Sequence, residues 1–279
     1  MVLRPLIPWP AKSPNAAQDE WLEGISHALA DPAADRATLC RRALCEIAYP
    51  QFSANWETAV ADPSLPLATR CALYALDPRH IMLEPEYYAE VDAAAFQRVK
   101  PLLWLWYSFD RTMMGGQNID AGIRLRRILA AHIFKRCGRN FKAFQHVEFS
   151  FGYNMEVGDD VVIHRHVLLD DRGGLLLGDR VSVSDYANVY SHTHSIVDQK
   201  DVTDAQTVLE DDVRITYHAT VLAGVRVGTN AMVGASAVAT KDVRPYHVNV
   251  GIPAKSIRVK PSAPAHGEVL PSARKKDGS

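Results

Sequence analysis

The stretch Leu209–Ala239 reads LEDDVRITYHATVLAGVRVGTNAMVGASAVA, and its rhythm decides the fold. Leu209, Ile215, Val221, Val227, Val233 and Ala239 recur every six residues. Four residues after most of them stands a small or β-branched residue: Val213, Ala219, Val225, Ala231 and Ala237. An amphipathic helix repeats at 3.6 residues and a half-buried strand at 2, so neither produces this spacing. Six residues suffice for one short strand and one tight turn. Three such sides close a triangular coil with the aliphatic residue on its axis, and stacked coils bury a continuous core.

Upstream the rhythm persists. Val157, Ile163 and Leu169 are in step, as are Leu177, Val183 and Val189, with Val161, Val167, Val181 and Ala187 at the second position. Glycine follows the aliphatic position at Gly158, Gly178, Gly228 and Gly234. The pattern breaks twice. From Val189 to Leu209 the gap is twenty residues, two more than a three-sided coil, and the polar insert SHTHSIVDQKDVTDAQT fills it. This reads as a loop that leaves the coil and returns, carrying His192 and His194. From Leu169 to Leu177 the gap is eight, with Asp170-Asp-Arg-Gly-Gly174 inside it.

Further motifs carry a family resemblance: Val225-Arg-Val-Gly-Thr-Asn-Ala-Met-Val-Gly-Ala-Ser-Ala-Val238, Thr240-Lys-Asp-Val243 and Val250-Gly-Ile-Pro-Ala-Lys-Ser-Ile-Arg258. With them the sequence resembles the left-handed parallel β-helix acyltransferases, the hexapeptide-repeat family. It is most similar to the maltose and galactoside O-acetyltransferase branch. The resemblance covers residues 140–260 or so. It implies an acetyl-CoA-dependent (or other acyl-CoA-dependent) O-acyltransferase acting on a hydroxyl of a sugar, glycan or glycolipid. It also implies a homotrimer with coenzyme A in the groove between neighbours and a catalytic histidine on the extruded loop. By motif position His192 is the first candidate base and His194 the second. An acceptor contact falls on Asp171, with His164 and His166 in the neighbouring acceptor positions. Coenzyme A positions carry over to Tyr217, Ala235, Thr240, Lys241, Lys255 and Arg258. Three residues depart from the branch: Tyr217 replaces a small residue, Arg214 a tryptophan and Lys255 an arginine.

The chemistry agrees with those residue types. A hydroxyl is a weak nucleophile at neutral pH, and a neutral imidazole can take its proton during attack on a thioester. Cationic side chains suit the coenzyme phosphates. Three other readings stand beside this one. A serine-acetyltransferase-like enzyme with an amino-acid or amine acceptor also has helices before the β-helix, but SHTHSIVD lacks the glycine-rich sequence that follows the histidine there. A γ-carbonic-anhydrase-like zinc enzyme needs histidines five residues apart, whereas positions 197 and 199 are Val and Gln. A non-catalytic assembly β-helix needs neither the loop histidines nor the coenzyme signature. No metal is expected.

The rest of the chain reads as helices. Trp21, Leu22, Ile25 and Leu29 recur at helical spacing, then Leu39, Ala43, Leu44 and Ile47, with Asp31-Pro32 read as an N-cap and first turn between them. Segments 70–76 and 87–99 are also expected to be helical. Residues 118–139 form a basic amphipathic helix, read as docked on its own protein, with peripheral membrane contact as the alternative. The expected division is a helical domain over 1–117, this connecting helix over 118–139, a β-helix domain over 140–259 and a mobile tail over 260–279.

Composition bounds the function. The chain of 279 residues is 47% hydrophobic and 23% charged, which suits a globular protein. A net charge of −1 gives no reason to expect a nucleic-acid partner. Four scattered cysteines without Cys-x-x-Cys spacing point to buried free thiols in a reducing compartment. The opening MVLRPLIPWPAKSP has no apolar core of signal-peptide length, and the most apolar window, Leu102–Phe109, is too short to span a bilayer. A cytoplasmic, soluble protein is expected.

Overall fold

The computed structural model describes residues 15–198 and 200–264. The opening MVLRPLIPWPAKSP and residues 265–279 of the tail lie outside the described residues.

Helices come first, in the order α1 (Ala16–Ala30), α2 (Arg36–Ala48), α3 (Trp56–Ala61), α4 (Leu67–Tyr74), α5 (Ala93–Phe109) and α6 (Ile119–Ile133). The periodic apolar residues are their buried faces: Leu22, Ile25 and Leu29 on α1, Leu39, Ala43 and Leu44 on α2. The cap of α2 differs from the expectation. Asp35, not Asp31, is the N-cap, because its carboxylate accepts from the Ala37 and Thr38 N–H groups. Asp31 closes α1 instead, and its carboxylate receives the Ala33 N–H in the turn that holds Pro32. The apolar window Leu102–Phe109 is the second half of α5, with Leu102, Leu105, Trp106 and Phe109 inaccessible to solvent. Cys40 and Cys45 are buried as expected, whereas Cys71 is exposed and Cys137 half-buried.

The basic helix α6 is docked. Leu125, Leu129 and Ala130 are fully buried, and its cations are engaged within the chain. Arg124 pairs with Asp19 at 2.5 Å, Arg126 forms a buried pair with Asp110, and Arg127 donates to the Phe141 carbonyl at 2.8 Å. Charges committed in this way are not presented to lipid. The helix ends at Ile133, so residues 134–139, expected to continue it, do not.

The solenoid begins earlier than its aliphatic signature. Strand Arg136–Cys137 pairs in parallel with Glu156–Val157, and Cys137, Ala143 and Phe149 form the first coil of the six-residue series. Three sheets make the three faces. The first face stacks strands Arg136–Cys137, Met155–Val157, Leu175–Leu177, Thr207–Leu209 and Arg226–Val227. The second runs from Lys142–Ala143 to Met232–Val233 and is extended by His247–Val250 and the antiparallel Lys255–Val259. The third stacks Glu148–Phe149, Leu168–Leu169, Asn188–Val189, Thr220–Val221 and Val238–Ala239.

Both repeat positions point inward. Val157, Ile163, Val183, Val189, Ile215 and Val233 have no solvent exposure, and neither do Val161, Val181, Ala187, Val213 and Ala231. Burying each such Val or Ile contributes about 1.5–3 kcal/mol, which is why a core only one coil wide holds. The repeat glycines Gly158, Gly178 and Gly228 serve stacking rather than turning. A Cβ on Gly178 would lie 2.7 Å from the Asp211 nitrogen of the next coil. Most left-handed corner conformations fall on non-glycine residues such as Asn140, His166, Asp212 and Asn230, with Gly152 and Gly224 taking two others.

Candidate active site

The twenty-residue gap is a β-hairpin rather than an irregular loop. Strand His192–His194 pairs antiparallel with Val202–Asp204, in the register His192 with Asp204 and His194 with Val202. Alternation along a strand places residues 192 and 194 on one side and Thr193 on the other. The two imidazoles meet edge to face with ring centroids 5.3 Å apart. Both line a cavity of about 680 Å³.

The shorter gap explains the hairpin's root. Asp170 stands one coil below and is buried. Its Oδ1 accepts the Ser150 hydroxyl at 2.7 Å. Its Oδ2 accepts the Ser191 N–H at 2.9 Å and lies 2.5 Å from His192 Nδ1. Ser191 Oγ donates to the Asp170 carbonyl at 2.6 Å and accepts the Gly173 N–H at 2.8 Å. Gly173 is required here: a Cβ would sit 2.3 Å from the Ser191 carbonyl oxygen and 2.6 Å from the Ala205 nitrogen, the two roots of the hairpin. Burial pushes the Asp170 carboxyl up, but the Ser150 hydroxyl, the Ser191 N–H and His192 outweigh it and hold it below the ordinary value. An ionised carboxylate only accepts hydrogen bonds, so Nδ1 of His192 carries the proton of this contact. In a neutral imidazole this tautomer leaves the lone pair on Nε2, which is what proton abstraction by a histidine requires.

Other expected site residues stand elsewhere. Asp171 does not face the cavity. It is fully buried and accepts the N–H groups of Phe151 at 2.6 Å and Asn154 at 3.0 Å, so its carboxylate ties the preceding corner and cannot reach an acceptor. Burial pushes its carboxyl up to about 6 against those backbone donors. His164 and His166 do not line the cavity either. They follow the second face, whereas Asp170 and His192 follow the third, and strand Leu168–Leu169 lies between. His164 stacks on Phe144 at 5.0 Å, and His166 belongs to a column of rings with His146 and Tyr186 at 4.7 and 4.8 Å.

The coenzyme positions gather on the C-terminal coils. Tyr217 and Ala235 lie at successive corners after the second face, Thr240 and Lys241 after the third, and Lys255 and Arg258 on the last strand; all are exposed. Lys241, Lys255 and Arg258 have no acidic partner among the described residues, so three cations are uncommitted there. That donor set fits a polyphosphate. None of the six lines the cavity, which sits against the N-terminal coils.

Sequence reasoning missed Asp170, because its role depends on coil register. Position 170 lies directly beneath 190, and the hairpin turns His192 back over it. It also missed the contribution of the helical region. Tyr88, Trp104 and Tyr107 line the same cavity, and nothing in their spacing points there.

With this geometry in place, comparison with known proteins is informative. The chain is 26% identical over 140 residues to the galactoside O-acetyltransferase of Escherichia coli K12, covering 49% of this chain and 69% of that one. No family model matches. Among solved structures, a maltose O-acetyltransferase from Clostridium difficile 630 aligns with a TM-score of 0.54 at 23% identity, covering 64% of this chain and 98% of that one. This chain has the hexapeptide-repeat acetyltransferase fold. Helices precede a left-handed parallel β-helix in it. A Vibrio cholerae hexapeptide-repeat acetyltransferase of the same fold, complexed with acetyl coenzyme A, aligns with a TM-score of 0.52 at 23% identity over 66% of this chain and 98% of that one. Among the described residues no group of three or more His, Cys, Asp or Glu could hold a metal ion, and no helix is long and apolar enough to cross a membrane.

Proposed function

We propose that this protein transfers an acyl group from acetyl-CoA, or another acyl-CoA, to a hydroxyl of a sugar, glycan or glycolipid. The observation that carries this reading is the Asp170–His192 pair, 2.5 Å apart and lining a cavity on a coil of the acetyltransferase fold. His192 Nε2 takes the acceptor hydroxyl proton as the oxygen attacks the acyl carbonyl. The imidazolium, stabilised by ionised Asp170, then returns that proton to the departing sulfur. The acyl-CoA supplies an activated carbonyl and a good leaving group. Thr240, Lys241, Lys255 and Arg258 hold its phosphates and pantetheine arm with Tyr217 and Ala235. His194, on the same side of the hairpin, stands beside the base and is the second candidate for that role.

The working unit is a homotrimer in the cytoplasm, with the coenzyme between neighbours. Four cysteines without a disulfide accord with a reducing compartment, and the precedent for the trimer is the family the sequence resembles. The decisive test is thiol release from acetyl-CoA in the presence of hydroxylated acceptors. His192→Ala is expected to lower kcat by about 10²–10⁴-fold, the range of a lost general base. Full activity in both His192→Ala and His194→Ala would refute the mechanism. Light scattering is expected to give three times the 30.9 kDa chain mass; a monomer at micromolar concentration removes the inter-subunit groove.

A further inference from the structure

The cavity beside His192 is built by two parts of the chain. Its floor is the third face of the coil, where Glu148, Leu168 and Tyr190 project outward. Its far wall is helical, with Leu83 and Glu84 from the turn before α5, and Leu103 and Trp104 from α5 itself. The helical wall is fixed to the catalytic corner. Arg172, in the same turn as Asp170, is buried, forms an ion pair with Glu90 and lies 4.3 Å over the Tyr88 ring. Tyr88 in turn donates to Glu84 at 2.5 Å. Tyr153, on the coil, accepts the Asp92 N–H at 2.9 Å. The strap between Leu83 and Asp92 is thus tied to the solenoid at Tyr88, Glu90 and Asp92, beside the base.

The lining is unlike that of a site for a small polar acceptor. Leu83, Trp104 and Leu168 give an apolar surface backed by buried Leu103, while Glu84 and Glu148 add carboxylates to it. Glu148 is exposed and has no ion-pair partner among the described residues. About 680 Å³ is the size of a site for a drug-sized ligand, one that buries an apolar body and reads a few polar groups. Aromatic side chains offer area at small entropic cost, and a carboxylate accepts hydroxyl hydrogen bonds without donating.

We infer that the helical region forms half of the acceptor site and selects a glycoside carrying an apolar aglycone. One sugar hydroxyl meets His192, other sugar hydroxyls donate to Glu84 and Glu148, and the aglycone packs on Leu83, Trp104 and Leu168. This rests on the acyltransfer reading above and adds the acceptor class and the part of the chain that reads it.

The test is equilibrium binding by calorimetry, with acetyl-CoA, a methyl glycoside and the p-nitrophenyl glycoside of the same sugar as separate probes, followed by transfer kinetics. The aryl glycoside is expected to bind at least tenfold tighter than the methyl glycoside. Trp104→Ala is expected to erase that preference and to raise the acceptor KM at least tenfold, with the KM for acetyl-CoA within twofold of wild type. Leu168→Gln, on the opposite wall and on a strand held by backbone bonds, is expected to act in the same direction and guards against misfolding of the helical variant. Acetyl-CoA binding with no aryl preference, or a preference that survives both substitutions, overturns the inference and leaves acyl transfer standing. Absence of acetyl-CoA binding by folded wild type overturns the underlying acyltransfer reading, and this inference with it.

Discussion

At the scale of single residues, two adjacent aspartates have opposite fates because consecutive corner residues point in different directions. Asp170 turns out to the hairpin and Asp171 turns in to the backbone. Asp170→Asn replaces the oxygen that receives His192 Nδ1 by an amide that can present N–H there, which favours the wrong tautomer. The expected result is a kcat lowered by about 10²-fold or more with acceptor KM within a few-fold; a kcat near wild type would show that His192 needs no orienting partner. Asp171 gives a stability signature instead. Its folded carboxyl titrates at about 6, against an ordinary 3.8. Between those values the unfolded chain has lost the proton and the folded chain keeps it, so rising pH favours unfolding through this group. Its contribution is expected to fall by about 2 kcal/mol from pH 4 to pH 6 and to level off above pH 7. Denaturant midpoints of wild type and Asp171→Asn across pH 4–7 check this, since their difference removes the other carboxylates; parallel profiles would deny the shift. The motif reading named Asp171 for the acceptor. Sequence alone could not separate the pair, as the choice depends on which carboxylate faces the Phe151 and Asn154 amides.

At the scale of elements, the hairpin works only because the DDRGG turn beneath it makes room. Gly173→Ala places a Cβ against the Ser191 carbonyl and the Ala205 nitrogen, both backbone atoms with no rotamer to yield. The roots of the hairpin must then separate, carrying His192 off Asp170. Loss of kcat of about 10²-fold is expected, as for other small misplacements of a catalytic group, with the coil's far-UV circular dichroism unchanged. Activity equal to wild type would show that the hairpin position does not matter. The same element shows what the sequence could reveal. Two breaks in the six-residue period marked where the coil is interrupted, and both loop histidines fall within the longer one. That the longer break is a hairpin was hidden, because Val202-Thr-Asp204 pairs with His192-Thr-His194 through backbone groups that no side-chain period records. The first coil was obscured for a related reason. Cys137, Ala143 and Phe149 hold the right spacing, but Phe149 is shaped to meet helices, with its ring 5.1 Å from Trp106 and 5.2 Å from Phe134.

At the scale of the whole molecule, a solenoid has two ends, and each exposes a cross-section of core and unpaired strand edges. Here the C-terminal end is finished by the antiparallel strand Lys255–Val259 and the N-terminal end by the helices. The Trp106 indole donates to the Val147 carbonyl at 2.9 Å. Tyr107 bridges Phe149, and the Arg126–Asp110 pair is buried between α6 and the Ala143 and His146 backbone. Phe141, Phe149 and Phe151 are buried with the helices in place. A chain beginning at Arg136 uncovers these rings and the first edge of every face together. Such a fragment is expected to associate or bind a hydrophobic dye, since large contiguous apolar patches are rarely tolerated on soluble domains. It is also expected to lose the acceptor wall. Size-exclusion light scattering of fragment against full chain makes the comparison. A monodisperse fragment with the full chain's oligomeric state and Tm would show that the coil closes its own end without the helices.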